Sequence, residues 1–213
     1  MPNNFSFNTI APFYDFLVRL VFQQKLQKAQ ESLLVQVPER GHILILGGGT
    51  GWVLTRLLEL KPEVSVVYVE VSEKMLTLSQ QRWQKAGGKG LVSFRLGDES
   101  VLDTAEKFDY MLVPFVFDLY ETHYLKMVFI PNLCQHLAED GILGLVDFRE
   151  TDKLLHRGLI GAMFLFFRHV SRIKATMLPN YSEALQSSLS LLENSTQYFM
   201  GGRVFSESWI KSL

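Results

Sequence analysis

Cysteine is almost missing from this sequence. Cys134 is the only one in 213 residues, so no disulfide can form within the chain and the core must hold the fold. That usage suits a reducing, cytoplasmic setting. Cys134 itself sits in an apolar helical stretch, which reads as core rather than as an activated nucleophile. An excess of charge of one sign is also missing. Lys and Arg total 21 against 22 Asp and Glu, so no net field recruits nucleic acid or an anionic membrane. Long apolar runs are absent too. Arg19 breaks the run from Phe16 to Phe22, and Arg157 and Arg168 bracket Leu159 to Phe167, which is about half the ~20 residues of a membrane span. Met1-Pro2-Asn3-Asn4 carries no basic start of a signal peptide. The histidines are scattered without ligand spacing, so no metal site is expected. No repeats, low-complexity tracts or Gly/Ser linkers divide the chain. The expectation is one globular domain with no metal, no nucleic-acid partner and no integral membrane contact.

Apolar residues make up 47% and charged residues 20%, ordinary for a domain with a sizeable core. From Pro12 to about Val37 the apolar residues Phe16, Leu17, Leu20, Val21, Leu26, Leu33 and Leu34 recur at near-helical spacing, and Pro38 ends the element. Strands and helices then alternate. Strand 42–46 leads to a helix over 52–60, closed by Lys61-Pro62. Strand 65–70 leads to a helix over 73–85, capped by Ser72 and stopped by Gly87-Gly88. Strand 91–96 precedes Gly97-Asp98, and strand 108–114 ends at Pro114. A helical region over 119–138 is kinked or split near Pro131, and Asp140-Gly141 turns into strand 142–148. Nearly all-apolar strands alternating with helices predict a parallel sheet buried on both faces. The rhythm then breaks. Two helices are read over 154–170 and 181–192, followed by 195–200 and 203–210 facing each other across Gly201-Gly202, a hairpin signal.

The most informative stretch is Ile43-Leu44-Ile45-Leu46-Gly47-Gly48-Gly49-Thr50-Gly51. A buried strand runs into a glycine-rich turn and then a helix, so a ligand can lie against bare backbone. Glu70 ends the next apolar run, where a carboxylate can bind the hydroxyls of a ribose. A dinucleotide site wants a further glycine packing helix on strand, but that position holds Trp52 or, shifted, Leu54. A phosphate-binding loop is excluded because no Gly-Lys-Ser/Thr follows.

What remains is Gly-x-Gly-x-Gly, and over most of its length the chain resembles the class I S-adenosylmethionine-dependent methyltransferases. Gly47-Gly48-Gly49-Thr50-Gly51 resembles their first motif. Glu70-Val71-Ser72-Glu73-Lys74-Met75-Leu76 resembles the second, and Gly97-Asp98 the third. Phe108 to Val113 is similar to their fourth strand, Leu137 to Leu143 to the approach to the fifth, and the closing hairpin to their last strands. The resemblance implies S-adenosyl-L-methionine as cofactor. Gly47, Gly48, Gly49 and Gly51 would lie against its amino-acid part, with Glu70 on the ribose and Val71 on the adenine. Asp98 would meet the adenine amino group, with Glu99 and Val113 beside the pocket. One residue departs from the pattern: Ile45 stands where family members commonly carry an acid that helps hold the cofactor's ammonium group. That task would pass to backbone carbonyls or another side chain.

Ile10-Ala11-Pro12-Phe13-Tyr14-Asp15 resembles the lead-in of small-molecule methyltransferases, including those acting on quinone precursors; Tyr14 would lie over the methionine end of the cofactor. Met163, Phe164, Phe166 and Phe167 either line a pocket for an apolar acceptor or bury their helix against a neighbour or second subunit, so a homodimer stays open. Phe167-Arg168-His169-Val170 faintly resembles the quinone methyltransferases. Methyl transfer from a sulfonium gains much of its rate from positioning and needs a base only where the acceptor must lose a proton. His123, His156, Asp118, Asp147 and Tyr120 can reach the front of the sheet, but none stands out as catalytic. The expected fold is a Rossmann-like α/β domain with five parallel strands, a terminal antiparallel hairpin and helical caps. Residues 1–38 form an N-terminal cap, 39–150 the cofactor-binding core, 151–192 a helical cap insertion and 193–213 the closing hairpin. The expected activity is methyl transfer from S-adenosyl-L-methionine to a small acceptor, hydrophobic ones included. Two alternatives stand beside it. Polyamine synthases share the glycine turn and acid but carry acidic residues after the fourth strand, where this chain has Val113-Pro114-Phe115-Val116-Phe117. The other is a non-catalytic binding or scaffold subunit of the same fold.

Overall fold

The computed structural model describes residues 25–149, 179–199 and 202–211. Helix α1 (Lys25–Leu34) is followed by β1 (His42–Leu46), α2 (Trp52–Leu60), β2 (Ser65–Glu70), α3 (Glu73–Lys85), β3 (Leu91–Leu96) and β4 (Phe108–Pro114). These strand and inter-strand helix limits coincide with the sequence reading because glycine, proline or a cap closes each apolar run. Ser72 Oγ accepts from the Met75 N–H at 3.2 Å, a cap that stabilises α3 by about 1 kcal/mol.

The seven strands lie in the order β3-β2-β1-β4-β5-β7-β6, where β5 is Leu137–Arg149, β6 Leu189–Phe199 and β7 Gly202–Lys211. Neighbours from β3 to β5 are parallel, and β7 runs antiparallel to both β5 and β6. The order reverses between β1 and β4, so the crevice at their C-terminal ends is the natural ligand position.

Strand alternation divides the core. Leu44, Leu46, Val67, Val69, Met111 and Val113 face one side, packing with Phe129, Ile130 and Leu133. Ile43, Ile45, Val66, Tyr68, Tyr110 and Leu112 face the other, packing with Leu33 and Leu34 of α1 and Leu54 and Leu57 of α2. With both faces covered, β1, β2 and β4 read as nearly continuous apolar runs.

Three local expectations need correction. The stretch expected as a helix over 119–138 is a short helix at Thr122–Tyr124, a wide π turn at Leu125–Phe129 and an α-helix at Ile130–His136; together these are α4. Pro131 sits in the first turn of the last piece, where the winding changes from π to α. Asp140-Gly141 is not a turn before β5 but part of a bulge within it: Phe108 pairs with Leu137, then Tyr110 with Ile142. The helix expected to reach residue 192 stops after α5 (Tyr181–Gln186), and β6 already pairs with β7 at Leu189, opposite Lys211. The boundary placed at residue 192 between helical cap and hairpin therefore falls inside a strand. The Leu189 to Leu192 run suits helix on propensity alone, but the ladder to β7 overrides it, with a register shift between Leu191 and Glu193. Tyr14, His156, the aromatic cluster at 163–167, Phe167-Arg168-His169-Val170 and most of the two caps lie outside the described residues.

Candidate functional site

The site is built where β1 and β2 end. Gly47, Gly49 and Gly51 have φ of 75°, 60° and 83°, a region costly for any residue with a side chain. Gly48 is glycine for lack of space: a Cβ there would lie 2.6 Å from the Tyr68 ring and 2.8 Å from Ile45 Cγ2. A Cβ on Gly51 would come 2.8 Å from the Ser79 Cα, so this glycine lets α2 start directly against α3. The Gly47 N–H donates to the Val69 carbonyl at 2.9 Å, which ties the turn to β2.

Glu70 closes the turn from the side. Its Oε2 accepts from the Gly49 N–H at 3.1 Å and its Oε1 from the Ser72 N–H at 3.0 Å. Only 6% of the residue is exposed. Burial pushes its carboxyl up to about 7, and the backbone donors at Ser72 and Gly49 hold it back from rising further. A carboxylate oxygen has more than one acceptor direction, so the group retains capacity for ligand hydroxyls. Val71, half-buried, follows directly.

The next loop joins through the Gly97 N–H, which donates to the Glu70 carbonyl at 3.0 Å. Asp98 caps a short turn at Glu99–Val101, its Oδ1 accepting from the Ser100 N–H at 3.1 Å and from the Ser100 hydroxyl at 2.5 Å. One of its oxygens is thus committed locally. Glu99 is half-buried, and burial raises its carboxyl above the usual range. Gly47, Gly48, Gly49, Gly51, Glu70 and Val71 therefore converge, with Asp98 and Glu99 on the adjoining loop. Val113 is wholly enclosed in the core of β4 and stands apart from them.

The β4 end completes the crevice. Phe115 holds φ of 55°, a strained value for a bulky side chain, kept by its N–H to the Val146 carbonyl at 2.7 Å and by its ring 5.2 Å from that of Phe148. Of the groups expected at the front of the sheet, the structure joins Asp118 and Asp147, 29 positions apart. Asp147 Oδ2 accepts from the Asp118 N–H at 3.2 Å and Oδ1 from the Phe148 N–H at 2.8 Å. Asp118 Oδ1 is buried with no hydrogen-bond partner among the described residues. Burial pushes both carboxyls up, and their mutual repulsion raises Asp118 further. Tyr120 stacks on Tyr124 at 5.0 Å, whereas His123 is exposed. One residue escaped the sequence reading. Tyr68 Oη donates to the Gly49 carbonyl at 2.9 Å; its only sequence signal is a polar tip among the valines of β2.

The fold is the one that class I S-adenosylmethionine-dependent methyltransferases share. Residues 44–143 match the family model described as a methyltransferase domain. The chain is 34% identical over 157 residues to a malonyl-[acyl-carrier protein] O-methyltransferase of Bacillus cereus, covering 70% of this chain and 54% of that protein. It is 32% identical over 110 residues to the biotin biosynthesis bifunctional protein BioHC of Teredinibacter turnerae, covering 49% of this chain and 19% of that one. The chain thus spans about half the length of the first relative and a fifth of the second. Among solved structures, the DhpI–SAH complex superposes with a TM-score of 0.65 at 15% identity, covering 96% of this chain and 93% of that one. The N-methyltransferase NodS of Bradyrhizobium japonicum gives 0.62 at 15% identity, covering 87% and 96%. At such identities these structures speak for the fold.

Proposed function

We propose that the protein transfers the methyl group of S-adenosyl-L-methionine to a small acceptor. The observation that carries this reading is the closed pair of glycine turn and acid, Gly49 N–H on Glu70 Oε2 at 3.1 Å. The residues present fit the cofactor. The turn presents backbone bare of side chains, and the buried acid beside it has acceptor capacity for ribose hydroxyls. When bound, the cofactor supplies a methyl group on a positively charged sulfur. Gly47 to Gly51 would hold its amino-acid part, Glu70 the ribose, and Val71, Asp98 and Glu99 the adenine. Tyr14, from the lead-in segment, would cover the methionine end, and Val113 would support the floor from within the core. Val116 packs on Gly47 at the β4 end, and this apolar neighbour favours an apolar or partly apolar acceptor.

The name of the Bacillus cereus relative specifies O-methylation of malonyl-[acyl-carrier protein], which makes an oxygen nucleophile the first acceptor class to test. A small molecule rather than a nucleic acid, a cytoplasmic location, a single domain with two caps and a homodimer belong to the same proposal. Among the described residues no helix is long and apolar enough to cross a membrane. Calorimetry with S-adenosylmethionine tests the cofactor reading: micromolar binding is expected, lost in Glu70→Ala. No heat at millimolar cofactor would overturn it and favour a scaffold role. Transfer of a labelled methyl group to carboxylic acids, phenols, quinols and amines then separates the acceptor classes.

A further inference from the structure

We infer that Tyr68 is a positioning residue for the cofactor turn, its hydroxyl clamping the Gly49 carbonyl while Glu70 holds the N–H of the same residue. Two side chains of one strand, at positions i and i+2 and so on the same face, grip both ends of the turn's central glycine. The distances are 2.9 Å from Tyr68 Oη to Gly49 O and 3.1 Å from Gly49 N to Glu70 Oε2. The geometry leaves the hydroxyl little freedom. Tyr68 is fully buried, its ring packs 5.5 Å from Phe94, and the space above it is closed by Gly48, where any Cβ would fall 2.6 Å from the ring and from the hydroxyl. Gly51, two residues further along the turn, sits directly on the Ser79 main chain of α3, so the turn that the hydroxyl holds abuts the helix after β2. Burial, with Glu70 nearby, keeps the phenol far above its ordinary titration range, so it donates at any working pH.

The register explains why this chain needs such a residue. Ile45 pairs with Tyr68 across the parallel β1–β2 ladder, and Ile45 is the apolar residue two places before the first glycine of the turn. With no polar side chain beneath the turn from β1, β2 supplies one by reaching across. A turn held at both ends of Gly49 is preset for its ligand and loses less freedom on binding.

The proposal rests on the cofactor reading, and two measurements keep them separable. In the ligand-free protein, amide hydrogen exchange at Gly49 to Gly51 is compared between wild type and Tyr68→Phe. Loss of one hydrogen bond should speed exchange there by roughly tenfold, with β4 and β5 amides unchanged. Calorimetry with S-adenosylhomocysteine should show Kd raised by roughly five- to tenfold in Tyr68→Phe. Phe94→Leu, which loosens the same packing but leaves the hydroxyl in place, should retain the wild-type Kd. Unchanged exchange at the turn overturns the clamp, whether or not the wild type binds the probe. An unfolded Tyr68→Phe, or equal losses of affinity in Tyr68→Phe and Phe94→Leu, assigns the hydroxyl to general stability and overturns it as well. A wild type that shows the exchange effect but no binding removes the cofactor reading alone.

Discussion

Gly48 and Gly51 are glycines for different reasons, and alanine should expose the difference. At Gly48 the added methyl meets the Tyr68 ring and Ile45 Cγ2, both side-chain atoms, and the backbone carries no positive φ. At Gly51 it meets the Ser79 main chain at 2.8 Å while φ is 83°, so overpacking adds to a backbone penalty of about 1–2 kcal/mol. Gly51→Ala should therefore lower the unfolding free energy by about 3 kcal/mol and Gly48→Ala by about 1–2 kcal/mol, as read from urea denaturation midpoints. Equal losses would contradict the assignment of Gly51 to the α2–α3 junction. Glycine positions of this kind are readable from sequence because the turn motif is local. Tyr68 is not, since its bond to Gly49 spans 19 positions and depends on which residues the β1–β2 register sets side by side.

The same distinction holds for whole elements. Strands β1 to β4 were readable to the residue because each is a β-rich run ended by glycine, proline or a charged residue, buried in β1, β2 and β4 and half-exposed in β3. The start of β6 was not, because Leu189, Leu191 and Leu192 suit either helix or strand until β7 is there to pair with them. The Asp118–Asp147 pair was unreadable for a related reason: it exists only because β4 and β5 are neighbours, so their C-terminal ends meet. The pair also makes a prediction. Both carboxyls are pushed above the usual aspartate range by burial, so the folded state holds protons that the unfolded chain releases. Their contribution favours the fold at low pH and is lost as pH rises toward and past neutrality. Asp118→Asn keeps the shape of the protonated group and removes the repulsion on Asp147. Thermal denaturation should show this variant more stable than wild type at pH 8, by about 1–2 kcal/mol, with little difference at pH 5. A variant less stable at pH 8 would mean that the charge of Asp118 is needed by a partner.

For the molecule as a whole, the titrating groups pull stability and ligand binding in opposite directions. Glu106 is held down to about 2 by its side-chain bonds to Arg95, at 2.6 and 2.7 Å. Its contribution is complete above the ordinary glutamate range and disappears as pH falls toward 2. Glu70 is pushed up to about 7 by burial, so its contribution is present in acid and lost as pH rises through 7. With the aspartate pair acting in the same sense as Glu70, the ligand-free protein should be most stable on the acid side of neutrality, between these two limits. Binding has the reverse preference. Glu70 accepts from backbone N–H groups and, in the proposed complex, from ribose hydroxyls, and it does so best as the anion. Ligand adds stability by RT ln(1 + [L]/Kd), so a Kd that tightens up to roughly tenfold between pH 6 and pH 8 adds about 1 kcal/mol over that interval. Melting curves at fixed S-adenosylhomocysteine should therefore show a rise in Tm over the ligand-free protein that grows from pH 6 to pH 8, while the ligand-free Tm declines. In Glu70→Gln, which cannot ionise, the increment should be small and independent of pH. An increment that is flat in the wild type would mean that Glu70 does not carry the charge the ligand reads, and that the turn binds through its backbone alone.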